Sequence, residues 1–194
     1  QRAKISEIKL LDMPVWLNLL ASDQVHKMIY GKDKVHGQTV FDDADEVYLA
    51  MLPEEKPDYP SVLDTVKINE VITSEEFTLW SKITNGIFSG GYPDMHPVYH
   101  YPLCRNELMT CFILYKNETP AAVAAIMDNN GICSLEFVAT VEQMRRQGLA
   151  QAICAGAIER AFTNGAKIIT VRAVNAAASK LYQSLGFTVY NYAL

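Results

Sequence analysis

Residues 132–150 have the sequence ICSLEFVATVEQMRRQGLA, and this stretch decides the fold. Its first part, residues 132–141, is rich in apolar and β-branched residues and predicts a β-strand. Its last part, Arg145–Ala150, follows that strand directly and opens a helix, which we expect to begin near Gly148 and to end before Asn164-Gly165. A strand that leads into a helix in this way indicates a mixed architecture of sheet and helices.

The segment Arg145–Ala150 has the properties of an anion-binding turn. The start of a helix exposes backbone N–H groups without internal acceptors, together with the positive end of the helix dipole, and it can hold a pyrophosphate. Gly148 and Ala150 are small enough for phosphate oxygens to approach the backbone, and the two arginines add positive charge. The alternative is an ordinary turn that contains glycine only for its backbone geometry.

The residues on both sides of this stretch predict the rest of a mixed sheet. We expect a strand over 66–72, a helix that begins at a capping box formed by Thr73 and Glu76, and a final strand over 187–192. The remaining predicted elements are strands over 108–116, 121–127 and 167–174, turns over 117–120 and 128–131, and a helix over 176–185 closed by Gly186.

The first 64 residues have weaker signals. Helices are predicted over 14–30 and from an N-cap at Asp42 or Asp43 to Leu52. Residues 53–61 contain three prolines among charged residues, which is typical of a linker. We therefore divide the chain into an N-terminal segment, residues 1–64, and a main domain, residues 65–194.

A second informative stretch, residues 175–187, has the sequence NAAASKLYQSLGF. Its residues Ala178, Leu181, Tyr182 and Leu185 share one helical face, so the stretch can be interpreted as a core stripe that ends at a glycine cap. That interpretation does not account for the hydroxyl group of Tyr182. Asn175 follows a strand, where asparagine is also an ordinary helix N-cap.

Together, Arg145-x-x-Gly148-x-Ala150 and Asn175-x-x-Ala178-x-x-Leu181-Tyr182-x-x-x-Gly186-Phe187 resemble the motifs of the GNAT acetyltransferase superfamily. The resemblance covers roughly residues 66–194. It implies the α+β GNAT fold, a mixed twisted sheet flanked by helices. In that fold the parallel strands 132–141 and 167–174 splay apart. The segment 1–64 resembles the reduced GNAT-like or helical part of two-part acetyltransferases.

The resemblance also implies acetyl-CoA, or another acyl-CoA, as co-substrate and assigns residues to it. Backbone groups of Phe137, Val138 and Ala139 would pair with the pantetheine arm, and one of their N–H groups would face the thioester carbonyl. The pyrophosphate would bind at Arg145, Arg146, Gln147, Gly148, Leu149 and Ala150. Asn175 and Ala178 would complete the cofactor site, and Tyr182 would lie beside the sulfur atom.

Acetyl transfer to an amine needs an acid and a base. The Tyr182 hydroxyl group can protonate the departing thiolate. Glu136 is the candidate base, because a half-buried carboxylate on the strand that lines the slot would have a raised pKa. A solvent-facing or ion-paired glutamate is the alternative for Glu136. His96 and His100 are the other titratable candidates, and no metal is expected.

Composition limits the possible partners. A net charge of −5 without a Lys/Arg-rich run argues against nucleic acid, and the acidic balance suggests a cationic amine. The family resemblance implies an amine of a small molecule or peptide as acceptor. No stretch approaches the ~20 apolar residues of a membrane span. Four scattered cysteines favour buried thiols in a reducing cytoplasm.

Because the last strand is short, another chain, as in a homodimer, or the N-terminal segment would complete the sheet. The runner-up function is a sensor that binds acyl-CoA without turnover.

Overall fold

The computed structural model describes residues 47–60, 65–88, 101, 104 and 108–189. The strands in this part of the chain are β1 (Val47–Met51), β2 (Val66–Glu70), β3 (Met109–Lys116), β4 (Thr119–Asn129), β5 (Ile132–Thr140), β6 (Ile168–Ala173) and β7 (Thr188–Val189). The helices are α1 (Ser74–Ile87), α2 (Leu149–Thr163) and α3 (Ala176–Ser184), with short 3₁₀ helices at Pro53–Glu55 and Glu142–Met144.

The seven described strands form one mixed sheet in the order β2-β3-β4-β5-β6-β1-β7. The pair β5-β6 is parallel, whereas β2 and β3 run antiparallel, as do β3 and β4. This architecture confirms the predicted α+β class, a mixed sheet flanked by helices. The predicted elements from residue 66 onward are present, with ends that differ by at most two residues, and the predicted end of the last strand lies outside the described residues.

Strand β1 corrects one prediction. The helix predicted to run to Leu52 is wrong over Val47–Met51, because these residues pair antiparallel with β6 and also with β7. Leu49, Ala50 and Met51 are buried, so these three consecutive apolar residues lie in the core as part of a strand inside the sheet. A short apolar run of this kind is compatible with a helix as well as a strand, so the sequence alone does not distinguish them. The N-terminal segment thus contributes a strand to the sheet. The domain boundary near residue 64 stays a prediction.

The two hairpin turns follow from backbone geometry. Asn117 and Glu118 have φ values of +47° and +63°, and Asn130 and Gly131 have φ values of +56° and +84°. Two successive left-handed residues are what a two-residue hairpin needs to match the twist of its strands. Both turns lie where the sequence predicts them.

Helix α1 begins at the predicted capping box. The Thr73 hydroxyl group accepts a hydrogen bond from the Glu76 N–H at 3.2 Å, and the Glu76 carboxylate accepts from the Thr73 N–H at 3.0 Å. Further along the helix, Phe77 and Trp80 are fully buried, and Trp80 Nε1 donates to the Ala124 carbonyl of β4 at 3.1 Å. These contacts fix α1 against the sheet.

Helix α2 buries one continuous face, which consists of Leu149, Ile153, Cys154, Ala157, Ile158 and Ala161. It approaches β2 closely at Gly156, where an added Cβ atom would lie 2.8 Å from the Ile68 side chain. The predicted end of α3 is also confirmed. Gly186 has a φ of +98°, and an added Cβ atom there would lie 2.7 Å from Pro57. Only glycine tolerates both this positive φ and this close approach of Pro57.

The chain divides into two compact units, and the division runs through β5 between Ser134 and Leu135. One unit contains β1, β6, α3 and β7, and with them Asn175 and Tyr182. The other contains β2, α1, β3 and β4 up to Asp128, together with residues 135–161 and therefore the predicted phosphate loop. The predicted helix over 14–30 and the candidates His96 and His100 lie outside the described residues.

Candidate active site

The loop before α2 has an irregular backbone that leaves Gly148 open. Arg146 and Gly148 have φ values of +62° and +75°, and apart from its chain neighbours no described residue comes within 4 Å of a Cβ atom built on Gly148. Arg145 folds back along the chain, because its Nε donates to the Thr140 carbonyl at 3.3 Å. Arg145, Arg146, Gln147 and Gly148 are exposed, whereas Leu149 is buried. The loop thus presents bare backbone to solvent.

The first backbone N–H groups of α2 have no acceptor in the described part of the chain. The helix ladder begins with the bond from Ala152 N–H to the Gly148 carbonyl at 3.0 Å, so the N–H groups of residues 148–151 precede it. The first turn of α2 contains no acidic residue that could cap it. Four unpaired donors at the positive end of a helix dipole, next to open space, fit an anionic phosphate group.

Strand β5 has a feature that sequence reasoning missed. Phe137 has a φ of +53°, a left-handed conformation that is rare for a bulky residue inside a strand. The Phe137 ring packs edge-on against Trp80, with ring centroids 5.5 Å apart, and against Phe88, with centroids 6.5 Å apart. Irregular backbone of this kind is common beside active sites. No sequence signal indicates it, because phenylalanine does not favour this region.

The left-handed residue interrupts the regular alternation of side chains in β5 next to Glu136. Strict alternation of side chains does not continue through Phe137, so alternation alone does not give the direction of its neighbours. Glu136 is half-buried, as expected, and it takes part in an interaction within the molecule. Val138 is half-buried and Ala139 is 6% exposed. The role of Glu136 as base stays a prediction.

Asn175 acts as the N-cap of α3. Its Oδ1 accepts a hydrogen bond from the Ala178 N–H at 2.9 Å. This contact confirms the ordinary-cap interpretation for the amide oxygen. The side chain is exposed, and its Nδ2 group remains a donor on the same amide. A cap and a ligand contact are therefore compatible, and the ligand contact stays a prediction.

Tyr182 lies in the core of its unit and is 6% exposed. Its ring contacts Phe187 edge-on at a centroid distance of 6.0 Å, and its carbonyl accepts from the Phe187 N–H at 3.1 Å. On the same helical stripe Leu185 is fully buried, whereas Leu181 and Ala178 are half-buried. The core-stripe interpretation is thus correct for the tyrosine ring. The chemical role of its hydroxyl group stays a prediction.

The structure adds one contact to the phosphate loop that sequence reasoning missed. The Lys116 Nζ group, at the end of β3, donates a hydrogen bond to Gln147 Oε1. The predicted hairpin is the sequence signal that could have indicated this contact. Lys116 precedes the turn at 117–118, and this turn lies at the same end of the sheet as the end of β5.

Within the described part of the chain, the thiols and acidic groups form no further site. Cys111, Cys133 and Cys154 are buried, as predicted, and burial raises the pKa of Cys154 to about 12. Cys104 is half-buried, with its Sγ 3.6 Å from Cys111 Sγ. Across residues 47–60, 65–88 and 108–189, no His, Cys, Asp or Glu side chains gather as a metal-binding group. None of the helices in these ranges is long and apolar enough to span a membrane.

Comparison with known families matches the chain to one of them. Residues 77–187 fit the sequence pattern of the Acetyltransferase (GNAT) family. The chain belongs to this family. The matched range includes both motifs, the loop before α2 and the segment from Asn175 to Phe187.

Solved structures support the GNAT fold. A GCN5-related N-acetyltransferase from Kribbella flavida is 22% identical, with a TM-score of 0.58 over 75% of this chain and 55% of its own. A predicted acetyltransferase from Clostridium acetobutylicum with acetyl-CoA is 16% identical, with a TM-score of 0.54 over 66% of this chain and 94% of its own.

The ribosomal-protein-S18-alanine N-acetyltransferase of Escherichia coli is 25% identical, with a TM-score of 0.53 over 65% of this chain and 79% of its own. The chain thus spans about half the length of the Kribbella structure and most of the other two. No curated protein gives a significant sequence match.

Proposed function

We propose that this GNAT protein is an acetyl-CoA-dependent N-acetyltransferase that acetylates a primary amine of a small molecule or peptide. The amine attacks the thioester directly in a ternary complex. One observation carries the proposal, namely the uncapped N-terminus of α2 behind the open backbone at Gly148, in a chain that belongs to an acetyltransferase family. The acetyl-CoA in the Clostridium structure supports the choice of co-substrate.

Acetyl-CoA would supply the acetyl group as an activated thioester, and the chain would bind and orient it. The N–H groups of residues 146–150 hold the pyrophosphate, where the helix dipole and the charges of Arg145 and Arg146 favour an anion. Leu149 is buried and anchors the helix start, while Gly148 keeps the approach to the backbone clear. Residues Asn175 and Ala178 complete the cofactor site as the family resemblance implies.

In this proposal the backbone of Phe137, Val138 and Ala139 pairs with the pantetheine arm, and one N–H group faces the thioester carbonyl. Charge develops on that carbonyl oxygen during attack, and a preorganised N–H stabilises it. The left-handed Phe137 supports this role, because it turns the local peptide groups away from the regular ladder direction. The packing of Phe137 against Trp80 holds the conformation in place.

Two side chains handle protons in the proposed reaction. The Tyr182 hydroxyl group donates a proton to the departing thiolate, and Glu136, directly or through water, removes a proton from the incoming ammonium group. An acceptor of this kind is consistent with the Escherichia coli relative, whose name specifies an alanine of a ribosomal protein as its target. The free cysteines support a reducing cytoplasmic setting, and a homodimer stays a proposal.

The proposed function is tested by thermal unfolding with acetyl-CoA and by turnover with a panel of amines. Acetyl-CoA should raise the melting temperature, and Tyr182→Phe should lower kcat by on the order of a hundredfold while leaving acetyl-CoA affinity unchanged. Tyr59→Phe, the same change at a half-buried tyrosine outside the proposed site, is the control. Acetyl-CoA binding without turnover of any amine would favour the sensor instead.

The role of Glu136 is tested by the pH dependence of kcat/KM. A base must be deprotonated, so the rate should rise with pH and level off, and Glu136→Gln should lower the plateau while acetyl-CoA still binds. Two acceptors with different pKa values are compared, because deprotonation of the amine produces a similar profile. If the rising part of the pH profile follows only the pKa of the acceptor amine, and Glu136→Gln is fully active, Glu136 is not the base. Glu75→Gln, at an exposed position on α1, is the control.

A further inference from the structure

Lys116 is the last residue of β3, immediately before the two-residue turn at Asn117 and Glu118. Its Nζ group donates a hydrogen bond to the side-chain oxygen of Gln147, which belongs to the loop that precedes α2. Both residues lie in the same compact unit. The structure therefore brings a third cationic side chain to the phosphate loop, from a strand distant in sequence.

The charge of Lys116 is not neutralised within the described part of the chain. No described carboxylate lies within 4.0 Å of its Nζ group, in contrast to Arg160, whose Nε forms an ion pair with Glu70 at 2.9 Å. Arg145, the first cation of the loop, already donates its Nε–H to the Thr140 carbonyl. Lys116 instead keeps two ammonium hydrogens for another acceptor, since an ammonium group has three donors.

We propose that Lys116 is a further cofactor-binding residue, whose ammonium group contacts the phosphate groups of CoA and selects phosphate-bearing thioesters over free pantetheine thioesters. This inference rests on the proposed function. The neutral Gln147 amide holds the lysine at the loop without cancelling its charge, so the positive charge remains directed at an incoming anion. CoA has two phosphate sources for this contact, the pyrophosphate and the ribose 3′-phosphate.

The sheet itself provides a matched control. Lys67, on the neighbouring strand β2, lies near the same end of the sheet and is exposed, whereas Lys116 is half-buried. It pairs with Tyr115, whereas Lys116 pairs with Val66. Because successive residues of a strand face opposite sides, Lys67 and Lys116 lie on opposite faces of the sheet. Removal of Lys67 changes the net charge equally without touching the loop.

The test measures the dissociation constant of CoA by titration calorimetry. Lys116→Met should weaken CoA binding roughly tenfold, the effect of losing one charge-assisted hydrogen bond at a partly exposed site. Lys116→Arg should restore most of the affinity, and Lys67→Met should leave it unchanged. The loss should shrink as salt is raised, because the contact is electrostatic.

The phosphate source is identified with shortened ligands. If the loss in Lys116→Met persists with dephospho-CoA, the lysine contacts the pyrophosphate, and if it disappears, the contact is with the 3′-phosphate. Turnover of S-acetylpantetheine, which has no phosphate, should give the same KM in wild type and Lys116→Met. Either result with dephospho-CoA supports the role of Lys116 in selecting phosphate-bearing thioesters.

Three outcomes would overturn the inference. Unchanged CoA affinity in Lys116→Met, with wild type binding CoA, rejects the lysine contact and leaves the proposed function intact. An equal loss with Gln147→Met, together with no recovery in Lys116→Arg, shows that the pair only shapes the loop. Failure of wild type to bind CoA at all rejects the proposed function and this inference together.

Discussion

The three described helices begin in two different ways. At the start of α1, Thr73 and Glu76 satisfy each other's backbone N–H groups, and at the start of α3 the Asn175 side chain accepts the Ala178 N–H. At the start of α2 the preceding residue is Gly148, which has no side chain to offer, and the N–H groups of residues 148–151 have no acceptor in the described part of the chain.

The difference supports the proposed position of the phosphate at the start of α2. Every helix start has unpaired N–H groups, and a side-chain cap contributes about 1 kcal/mol of stability by satisfying one of them. A cap at α2 would occupy the donors that an anionic phosphate needs, and a side chain at position 148 would stand in its path. The chain forgoes that stability at α2, which is the helix start proposed to bind the pyrophosphate.

The largest effect should come from blocking the uncapped start. Gly148→Val should weaken acetyl-CoA binding by on the order of a hundredfold, since several charge-assisted hydrogen bonds are lost together. The stabilisation expected at ligand concentrations a hundredfold above the wild-type Kd should fall from about 2.7 kcal/mol to about 0.4 kcal/mol. Thermal unfolding with and without acetyl-CoA measures both.

Gly165→Val is the matched control for that variant. Gly165 follows α2, has a φ of +93° and also has no atom within 4 Å of an added Cβ atom. Both variants should therefore lose similar stability from backbone strain, and only Gly148→Val should lose its response to acetyl-CoA. A normal response in Gly148→Val would reject the phosphate-loop assignment.

An intermediate effect is expected at α3, where the Asn175 side chain caps the helix and is also proposed to contact the ligand. Asn175→Asp keeps an oxygen that caps the helix but removes the Nδ2 donor, so stability should be retained while the KM for acetyl-CoA rises several-fold. Asn175→Ala should lose both, with a stability loss of about 1 kcal/mol. Chemical denaturation and initial rates separate the two effects. An unchanged KM in Asn175→Asp would leave Asn175 only its structural role.

The smallest effect on acetyl-CoA binding is expected at α1, where Thr73 and Glu76 satisfy each other's backbone N–H groups. Backbone N–H donors of Ile72 and Thr73 hold the pKa of Glu76 below its ordinary value of 4.5. A lowered folded-state pKa means that this carboxylate stabilises the protein above about pH 4.5 and that the contribution is lost as pH falls through the folded-state pKa.

Glu76→Gln should therefore lower stability near neutral pH and show a smaller further loss on acidification than wild type. Denaturation at several pH values measures the difference. Acetyl-CoA affinity should not change, and a change would mean that α1 contributes to the cofactor site.

Prediction from sequence was strongest where local signals and family motifs agree. The capping box at Thr73, the hairpin turns, and the glycine after α3 each combine a residue type with a conformation that few others adopt, so their positions were predictable. The loop before α2 was predictable for the same reason. Strand β1 was missed because acidic residues before it suggest a helix cap, whereas its strand form comes from pairing with β6 and β7.

By itself, the sequence determined the order of elements from residue 66, the α+β class, and the two motifs that mark the candidate cofactor site. These features depend on local periodicity, turn chemistry and residue types at fixed spacing. Tertiary structure alone decided the strand at Val47–Met51, the left-handed backbone at Phe137 and the contact between Lys116 and Gln147. Each depends on partners from distant parts of the chain, and pairing and packing energies at such positions outweigh local preference.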